Sequence, residues 1–444
     1  MRLRRSYLWT GLAAITTALA GCSALGGSSA LDPGDDYRGV ATTAPANTTT
    51  GTIRSLPVDG GPQFYRRFGD AFPTSASFFP IAVWFESVTS TDDVDTDRRA
   101  GLNTYLAVTA NSDLSLIKKA GSQVIAQAET WSGPARSNPE AGPDGWLLGD
   151  EVDMTAGPER GLQQLRTAVA GLPPGDRRLR YANYGKGVTF WESDDDAARL
   201  VNFPDVVSAD NYWFTDRNLC GVSEGGRLLG DGRILPPATC HLAANYGKTV
   251  QRLRGLVQPA GSKPVWNFVE VGHPGGRADW PTIRPAELRA AVWSGLINGA
   301  RGVVYFNHSF GGPAQTQHAL REPGYAEVRA TVTQVNRQIT RLAPVLNSPT
   351  ITGAVRSKGA VDTLVKFAGR DLYLFAGSTR TQDQSVTFDL PCTAPAEPGA
   401  TTEVEVIGEN RSVPRVDGRF NDRFADGNAV HLYRMHRPDA CRAQ

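Results

Sequence analysis

Neither sign of charge prevails in this chain of 444 residues, which has 46 basic and 45 acidic side chains and a formal net charge of +1. Nucleic-acid-binding surfaces are strongly basic, so the composition argues against a nucleic-acid partner. Charged residues make up only 20% of the chain and hydrophobic residues 40%. This excludes a chain kept disordered by its own charge and allows a sizeable core.

Long apolar runs are equally scarce, and after residue 20 no stretch of about 20 apolar residues predicts a membrane-spanning helix. Near the start, three arginines precede the apolar segment Leu8–Ala20, the pattern of a signal peptide. The following Gly21-Cys22 completes a sequence that resembles the bacterial lipobox, whose cysteine receives lipid. The resemblance implies a lipoprotein signal peptide over 1–22, lipidation of Cys22, and an extracytoplasmic protein anchored to the cell membrane. An ordinary signal peptide is the alternative.

Cysteine is rare as well, and apart from Cys22 only Cys220, Cys240, Cys392 and Cys441 remain. Four thiols allow three pairings. The most economical one joins Cys220 to Cys240 and Cys392 to Cys441, and disulfides suit an extracytoplasmic location. Metal binding is the alternative, but the cysteines form no CxxC motif, so we expect no metal site.

Short apolar runs alternate with helical segments over most of the chain. Buried parallel strands have this pattern, and eight of them are the number in a closed (β/α)8 TIM barrel. An open doubly wound sheet is the alternative, but no GxGxxG turn follows the first strand. The predicted strands are Phe79–Phe85, Leu102–Val108, Gln123–Ala128, Gly145–Gly149, Leu179–Asn183, Asp205–Ala209, Pro264–Val269 and Gly302–Phe306. The predicted helices are Thr91–Ala100, Ser112–Ala120, Pro158–Leu172, Asp194–Asn202, Cys240–Val257, Arg284–Ile297 and Tyr325–Leu346.

After Pro349 the pattern changes to short β-rich runs separated by Gly, Pro and Asp, which predicts a small antiparallel β-sandwich. The predicted strands are Ile351–Val355, Thr363–Ala368, Asp371–Ala376, Ser385–Leu390, Glu403–Ile407 and Ala429–Tyr433. A tight hairpin turn is expected at Arg370-Asp371 or at Gly369-Arg370. The fold class is therefore α/β, a TIM barrel with a C-terminal sandwich. The predicted layout is a signal peptide over 1–22, a flexible linker rich in Ser, Thr, Gly and Pro over 23–70, a barrel over 71–348 and the sandwich over 349–444.

Two carboxylates stand at the ends of predicted barrel strands, where TIM barrels build their sites. Glu151 follows the fourth strand and Glu270 the seventh. Strand alternation places Leu147, Gly149 and Glu151 on one side of the fourth strand. If that side faces inward, Glu151 and Glu270 converge over the barrel mouth. The alternatives are a helix-entry carboxylate for Glu151 and an ion pair with an arginine for Glu270.

Paired carboxylates at one opening suit glycosidic-bond hydrolysis, in which one protonates the leaving oxygen and the other attacks the sugar or activates water. Gly149-Asp150-Glu151 and Val269-Glu270 resemble the catalytic motifs of the retaining (β/α)8 glycoside hydrolases of the clan containing cellulases and β-galactosidases. The resemblance implies Glu151 as acid/base, Glu270 as nucleophile, a polysaccharide or oligosaccharide substrate and no cofactor. The clan commonly has Asn where this chain has Asp150, which adds a third charge.

Further residues at or beyond the strand ends are candidates for sugar binding, because sugars stack on aromatic rings and hydrogen-bond to planar polar groups. Tryptophans in Gly/Pro/Asp-rich loops, Trp131 and Trp213 among them, are expected to line a groove. The candidates are Trp84, Glu86, Glu129, Trp131, Asp150, Asn183, Tyr184, Asp210, Tyr212, Trp213, Trp266, Asn307 and His308.

Two other functions fit the same sequence. A non-catalytic carbohydrate-binding lipoprotein of the cell envelope could use the same barrel and the same aromatic residues. A structural envelope protein could use the sandwich to contact a partner. Loss of turnover with retained ligand affinity in a Glu270 variant separates an enzyme from a binding protein.

Overall fold

The computed structural model of the chain describes residues 52–68, 72–277, 279–393, 399, 401–437 and 441. The predicted signal peptide, its Cys22 and the first part of the predicted linker lie outside the described residues. None of the helices within these ranges is both long enough and apolar enough to cross a membrane.

Strands and helices are numbered in chain order. The strands are β1 (Arg54–Leu56), β2 (Ile81–Glu86), β3 (Thr104–Val108), β4 (Gln123–Gln127), β5 (Gly145–Asp150), β6 (Leu179–Tyr184), β7 (Val206–Ala209), β8 (Asn267–Glu270), β9 (Val303–Phe306), β10 (Thr350–Thr352), β11 (Arg356–Lys358), β12 (Val361–Ala368), β13 (Asp371–Ser378), β14 (Gln384–Asp389), β15 (Thr401–Val406), β16 (Arg411–Val416), β17 (Arg419–Phe424) and β18 (Val430–His436). The α-helices are α1 (Thr91–Arg99), α2 (Leu114–Lys119), α3 (Ala128–Ser137), α4 (Val152–Ala170), α5 (Asp194–Val201), α6 (Gly225–Leu229), α7 (Pro237–Cys240), α8 (Ala244–Leu256), α9 (Pro285–Ile297) and α10 (Ala326–Leu346).

Strands β2 to β9 form a parallel sheet in the order β7-β6-β5-β4-β3-β2-β9-β8. The two outer strands approach each other through a bridge between Val207 and Val265, and the amide of Trp266 donates to the carbonyl of Val207 at 2.8 Å. The sheet is thereby nearly closed into a barrel. The prediction of eight parallel strands in a TIM barrel is confirmed, and each predicted strand overlaps an observed one.

Two apolar layers stabilise the barrel. Large side chains such as Leu147, Trp266 and Phe268 fill its interior, and Phe64 and Phe72 pack against this inner cluster. A second cluster lies between the strands and the surrounding helices. Because both faces of each strand are covered, the strands read as nearly continuous apolar runs, which is why the sequence reveals them.

Helix α3 was not predicted, because Gly133 and Pro134 interrupt the segment and both disfavour a helix interior. The helix follows β4 directly and places Trp131 on a helix, where the sequence predicted a loop. The expectation that Trp131 belongs to a loop was therefore wrong.

The C-terminal strands form one antiparallel sheet in the order β1-β10-β12-β13-β18-β15-β16-β17-β14-β11. The predicted β-rich C-terminal domain is confirmed, and its strands belong to a single continuous sheet. Phe388 of β14 packs on Tyr433 of β18 at 5.5 Å between ring centroids, so the sheet curls around its own apolar core. Residues Ala368 and Asp371 pair across Gly369-Arg370, which confirms the predicted hairpin turn.

Part of the predicted linker belongs to the folded structure. Strand β1 pairs with β10 in antiparallel register, Ser55 opposite Ile351. Phe64 lies in a short 3-10 helix and is buried against the barrel interior. The expectation of a flexible linker up to residue 70 was wrong for this segment, because strand pairing and aromatic burial fix it.

Both predicted disulfides are present, Cys220–Cys240 and Cys392–Cys441. The first closes the segment between β7 and α8, and the second ties the segment after β14 to Cys441. Each removes conformational freedom from the unfolded chain, with a larger effect for the longer loop.

We expect the double variant Cys220→Ser/Cys240→Ser to lose about 3 kcal/mol of unfolding free energy, because its unfolded state regains the freedom of a loop of 20 residues. Urea unfolding followed by circular dichroism measures the loss. The variant Cys392→Ser/Cys441→Ser is the control and should lose about 4 kcal/mol, since its loop of 49 residues is longer. Unchanged unfolding curves for both variants contradict the prediction.

Candidate active site

Four carboxyl groups lie at the carboxyl ends of the barrel strands. Asp150 and Glu270 are the last residues of β5 and β8, Glu151 follows Asp150, and Asp210 follows β7. All four act electrostatically on the Tyr212 hydroxyl, whose pKa is raised first by burial and then by these negative neighbours. Tyr212 therefore lies within electrostatic range of all four carboxyl groups.

A bulge in β5 changes which residues face this region. Pairing with β6 shifts between Leu147 and Gly149. A side chain at Gly149 would point toward Val152 and Leu165 of α4, so Gly149 faces the helix layer. The expectation that Leu147, Gly149 and Glu151 share one side was wrong for Gly149, because the bulge resets the alternation.

Glu151 has a left-handed backbone conformation, with φ 47° and ψ 32°, at the residue that precedes α4. Non-glycine residues seldom adopt this conformation, and it is typical of sites where the surrounding structure imposes it. The amide of Glu151 donates to the carbonyl of Asn183 at 3.0 Å, which holds the residue against β6. The side chain of Glu151 lies close to Gly185.

Asp150 is held by its neighbour on β6. Asn183 Nδ2 donates to Asp150 Oδ1 at 2.9 Å, and the Ser208 hydroxyl donates to Asn183 Oδ1. Asp150 itself is exposed to solvent at the end of β5. Enclosure by the protein, followed by repulsion from Glu151, raises the pKa of Asp150 to about 7. The predicted sugar contact Asn183 is itself fully buried and instead positions Asp150.

Glu151 and Asp210 interact directly through their carboxyl groups, and Asp210 also accepts from the Tyr212 hydroxyl at 3.2 Å. Burial raises the pKa of both, and the charges of Glu151 and Asp150 raise the pKa of Asp210 further. Two carboxyl groups in contact cannot both be ionised without a large repulsion, so the pair shares a proton.

Two further residues shape this region, and no sequence signal singled them out. Buried Asp153 accepts from the amides of Gly185 and Val188, at 3.1 and 2.7 Å, and fixes the turn beside Glu151. Lys186 pairs with Asp216 at 2.8 Å and with Glu224, and its positive charge opposes the upward shift in the pKa of Glu151.

Glu270 has a different environment from the other three carboxyl groups. Tyr246 donates to both of its oxygens at 2.7 Å, and Thr215 donates to Oε1 at 3.0 Å. Burial raises the pKa of Glu270 to about 7, and these hydrogen bonds oppose the shift. The residue is 0% exposed, so no ligand can contact it unless the side chains that cover it move.

A row of rings lies at the same end of the barrel, here called the aromatic rim and consisting of Phe85, Tyr212, Phe306, His308 and Phe310. Neighbouring ring centroids are 5.2 Å apart for Tyr212–Phe306 and Phe306–His308, and 5.7 Å apart for Phe85–His308. Phe310 is 43% exposed. Exposed rings offer flat surfaces to sugar C–H groups. The three phenylalanines were not predicted as sugar-binding residues, because an apolar residue at a strand end usually belongs to the core.

Three predicted aromatic contacts were wrong, because the rings are fully buried. Trp213 donates through Nε1 to Thr249 at 3.0 Å, beneath the loop it was expected to line. The Tyr184 hydroxyl donates to the carbonyl of Leu200 in the helix layer. Trp266 packs on Tyr181 inside the barrel. Trp84 is also an interior residue, packed on Phe268, and Trp131 is half-buried on α3.

Two predicted polar contacts were also wrong. Glu86 is fully buried, with one oxygen 2.6 Å from His318 Nδ1 and 3.3 Å from the Arg321 guanidinium. Asn307 donates to the other carboxylate oxygen of Glu86 and accepts from the amide of Leu320. Both side chains are therefore committed to an internal network, which no short sequence pattern indicates.

The remaining two predicted contacts differ in accessibility. Glu129 is exposed in the first turn of α3. His308 Nε2 lies 3.3 Å from the carbonyl of Phe85, and burial lowers the pKa of the imidazole, which favours its neutral form.

Among the described residues, Cys220, Cys240 and His241 form a group with metal-ligating side chains. The two sulfurs are bonded to each other, and His241 Nε2 lies 3.6 Å from Cys220 Sγ. Because thiolates are the metal-binding form of cysteine, the disulfide excludes a cysteine-ligated ion here.

No family model and no curated protein matches the chain. Solved structures of similar fold include a glycoside hydrolase with 11% identity and a TM-score of 0.51, covering 88% of this chain and 98% of its own. A family 5 glycoside hydrolase from Bacteroides vulgatus has 13% identity and a TM-score of 0.48, covering 82% and 91%. A family 30 endoxylanase from Clostridium papyrosolvens has 9% identity and a TM-score of 0.46, covering 87% and 100%. The chain thus has a fold that occurs in glycoside hydrolases.

Proposed function

We propose that this protein is a glycoside hydrolase that cleaves O-glycosidic bonds of a polysaccharide or oligosaccharide. One observation supports this most strongly: carboxyl groups with raised pKa values lie beside the aromatic rim at the carboxyl ends of the barrel strands. Glycoside hydrolysis needs one carboxyl group that keeps its proton near neutral pH and one that is ionised. Rings beside them provide a surface for the sugar.

Glu151 is the proposed acid/base. Its carboxyl group shares a proton with Asp210, which supplies a protonated group for the leaving oxygen. After the first step the same group, now ionised, accepts a proton from the attacking water. Asp150, held by Asn183, is placed to accept a hydrogen bond from a sugar hydroxyl.

Glu270 is the proposed nucleophile of a retaining, two-step reaction. Tyr246 and Thr215 hold its carboxylate and stabilise the ionised form that attacks the sugar. Since Glu270 is covered, the reaction requires the side chains that cover it to move when substrate binds.

We further propose that the enzyme lies outside the cytoplasm and is held at the cell membrane by a lipid attached to Cys22. The N-terminal pattern of a charged segment, an apolar segment and a lipobox supports this location. The two disulfides are consistent with an oxidising compartment.

A second candidate function is non-catalytic carbohydrate binding on the same barrel. The complete burial of Glu270 favours it, because every oxygen of that carboxylate already has a hydrogen-bond donor. In this case the aromatic rim and Asp150 would hold a sugar, and the Glu151–Asp210 pair would contribute only polarity.

Incubation with a panel of envelope and plant polysaccharides, with NMR of the products, tests the proposal. Turnover should fall below pH about 7 as Glu270 becomes protonated, and fall again at higher pH as the Glu151–Asp210 pair loses its proton. Glu151→Gln should lower turnover roughly 10²- to 10⁴-fold and remove the alkaline limb.

The matched control is Glu159→Gln on α4, the helix that follows Glu151. Its side chain is 71% exposed, so the change should leave the pH profile unchanged. Products of inverted anomeric configuration refute the two-step reaction. Binding of a polysaccharide without any release of reducing ends supports the non-catalytic alternative.

A further inference from the structure

A groove lies on the outer face of the barrel, between the first and last of its surrounding helices. Asn336 of α10 donates to the carbonyl of Ala100 at the end of α1 at 2.8 Å, which holds the two helices together. The groove beside this contact has a volume of about 680 Å³. Its lining includes Arg99 of α1 and Arg329, Thr333, Gln334, Arg337 and Arg341 of α10.

Four of the lining residues are arginines, and no residue of the lining is acidic. The groove is here called the arginine groove. Some exposed arginines elsewhere have carboxylate partners, such as Arg419 with Asp389 and Arg423 with Asp383. In the arginine groove, by contrast, no ion pair forms with any residue that the structure describes.

The four arginines differ in their remaining contacts. Arg99 donates to the Thr96 hydroxyl, and Arg329 donates to the carbonyl of Glu322. Arg337 and Arg341 are exposed and one helical turn apart, a spacing at which like charges repel. An anionic ligand would remove this repulsion and use guanidinium N–H groups that the described protein residues leave unoccupied.

We propose that the arginine groove binds an acidic polysaccharide, a sugar polymer with carboxylate or phosphodiester groups. Arg329 and Arg341 are 12 residues apart on α10, roughly 18 Å along the helix axis. That length exceeds a single anion and suits an extended polymer. Thr333 and Gln334 supply hydrogen-bonding groups for sugar hydroxyls.

Two other polyanions fit the groove less well. Single-stranded nucleic acids bind through stacked bases, and the groove lining includes no aromatic residue. An anionic membrane presents a flat surface, whereas the arginines line a concave groove between two helices. The acidic polysaccharide is therefore the occupant that the charge and shape favour.

This site is separate from the candidate active site. The groove is formed by the helix layer, while the four carboxyl groups lie at the strand ends and would repel an acidic sugar unit. The proposal therefore concerns a second binding site and does not depend on whether the barrel hydrolyses glycosides.

The test measures binding of the full chain to polygalacturonate and to polyglycerol phosphate by isothermal titration calorimetry at low salt. These two polymers separate carboxylate from phosphodiester recognition. Arg337→Gln/Arg341→Gln should weaken binding of at least one of them tenfold or more, and wild-type binding should weaken steeply with added salt. Arg419→Gln/Arg423→Gln is the matched control, with the same charge change at exposed arginines of β17, and should keep wild-type affinity.

Equal affinities of the groove variant and the control variant overturn the proposal, as does binding of neither polymer by the wild type. Neutral dextran should not bind at the groove, so a loss of dextran affinity in the groove variant also overturns it. Single-stranded DNA and phosphatidylglycerol vesicles complete the panel. If either of these binds more tightly than the acidic polymers, and Arg337→Gln/Arg341→Gln weakens that binding, the proposal of a polysaccharide as the occupant is overturned. Thermal unfolding verifies that the variants are folded.

Discussion

Glu270→Gln should lower turnover of a cleaved polysaccharide roughly 10⁴-fold or more, while affinity for that polysaccharide stays within a few-fold of wild type. An amide cannot form the glycosyl-enzyme intermediate, but it has nearly the shape of the carboxylate and can still accept a hydrogen bond from Tyr246. Steady-state kinetics and direct binding measurements on the same variant give both quantities. The effect is large because the change removes the attacking atom itself.

Tyr246→Phe distinguishes a nucleophile from a purely structural carboxylate. Removing this hydroxyl deletes hydrogen bonds that stabilise ionised Glu270, so the pKa of Glu270 should rise further. If Glu270 attacks the sugar, the acidic limb of the pH profile moves to higher pH by the same amount. If Glu270 only braces the barrel, stability changes and the profile does not. Full turnover in Glu270→Gln rejects the assignment outright.

The positions of these carboxyl groups followed from the sequence because barrel chemistry depends on strand ends. Recognising β5 and β8 as buried strands was sufficient to place Glu151 and Glu270 at the same end of one barrel. The surroundings of these two carboxyl groups could not be predicted from the sequence. The bulge at Leu147 to Gly149 depends on packing against β6, which no alternation pattern encodes.

Which aromatic residues face solvent also could not be predicted from the sequence. Trp213 and Phe310 both follow barrel strands, yet Trp213 is buried by contacts with Phe190 and Thr249 while Phe310 is exposed. Which of two rings faces solvent depends on loops that are long and irregular. Tryptophan in a polar loop was therefore a poor guide to a sugar-binding surface, and phenylalanine at a strand end was overlooked.

In the C-terminal domain, β16 and β17 were not predicted, because their sequences are polar. Strand β16 includes Arg411 and Pro414, and its neighbour β17 has polar residues on both sides of Phe420. Only side chains such as Val413 and Phe420 on one face reach the core. The strands found from sequence, such as β13, have longer buried apolar runs.

Arg321→Met should lower the unfolding free energy by about 3–5 kcal/mol, because it leaves buried carboxylates without their cation. The Arg321 guanidinium lies 2.6 Å from Asp97 and 3.3 Å from both Glu86 and Asp93. It also donates to the carbonyl of Ser87 at 2.9 Å. These contacts connect the segment after β9 to β2 and α1, so the variant weakens the junction between the first and last barrel strands. Urea unfolding at pH 7 measures the effect.

The same variant should show a smaller deficit as the pH is lowered. Burial already raises the pKa of Glu86, and Arg321 opposes that shift, so the variant's Glu86 takes up a proton at higher pH than wild type does. Protonation removes the unpaired buried charge, and the unfolding free energies of wild type and variant converge toward acidic pH.

Arg284→Met is the control. Its side chain is 73% exposed and pairs with Glu287, so the loss of unfolding free energy should stay below about 1 kcal/mol. A loss for Arg321→Met below about 1 kcal/mol, or one that grows as the pH falls, contradicts the prediction.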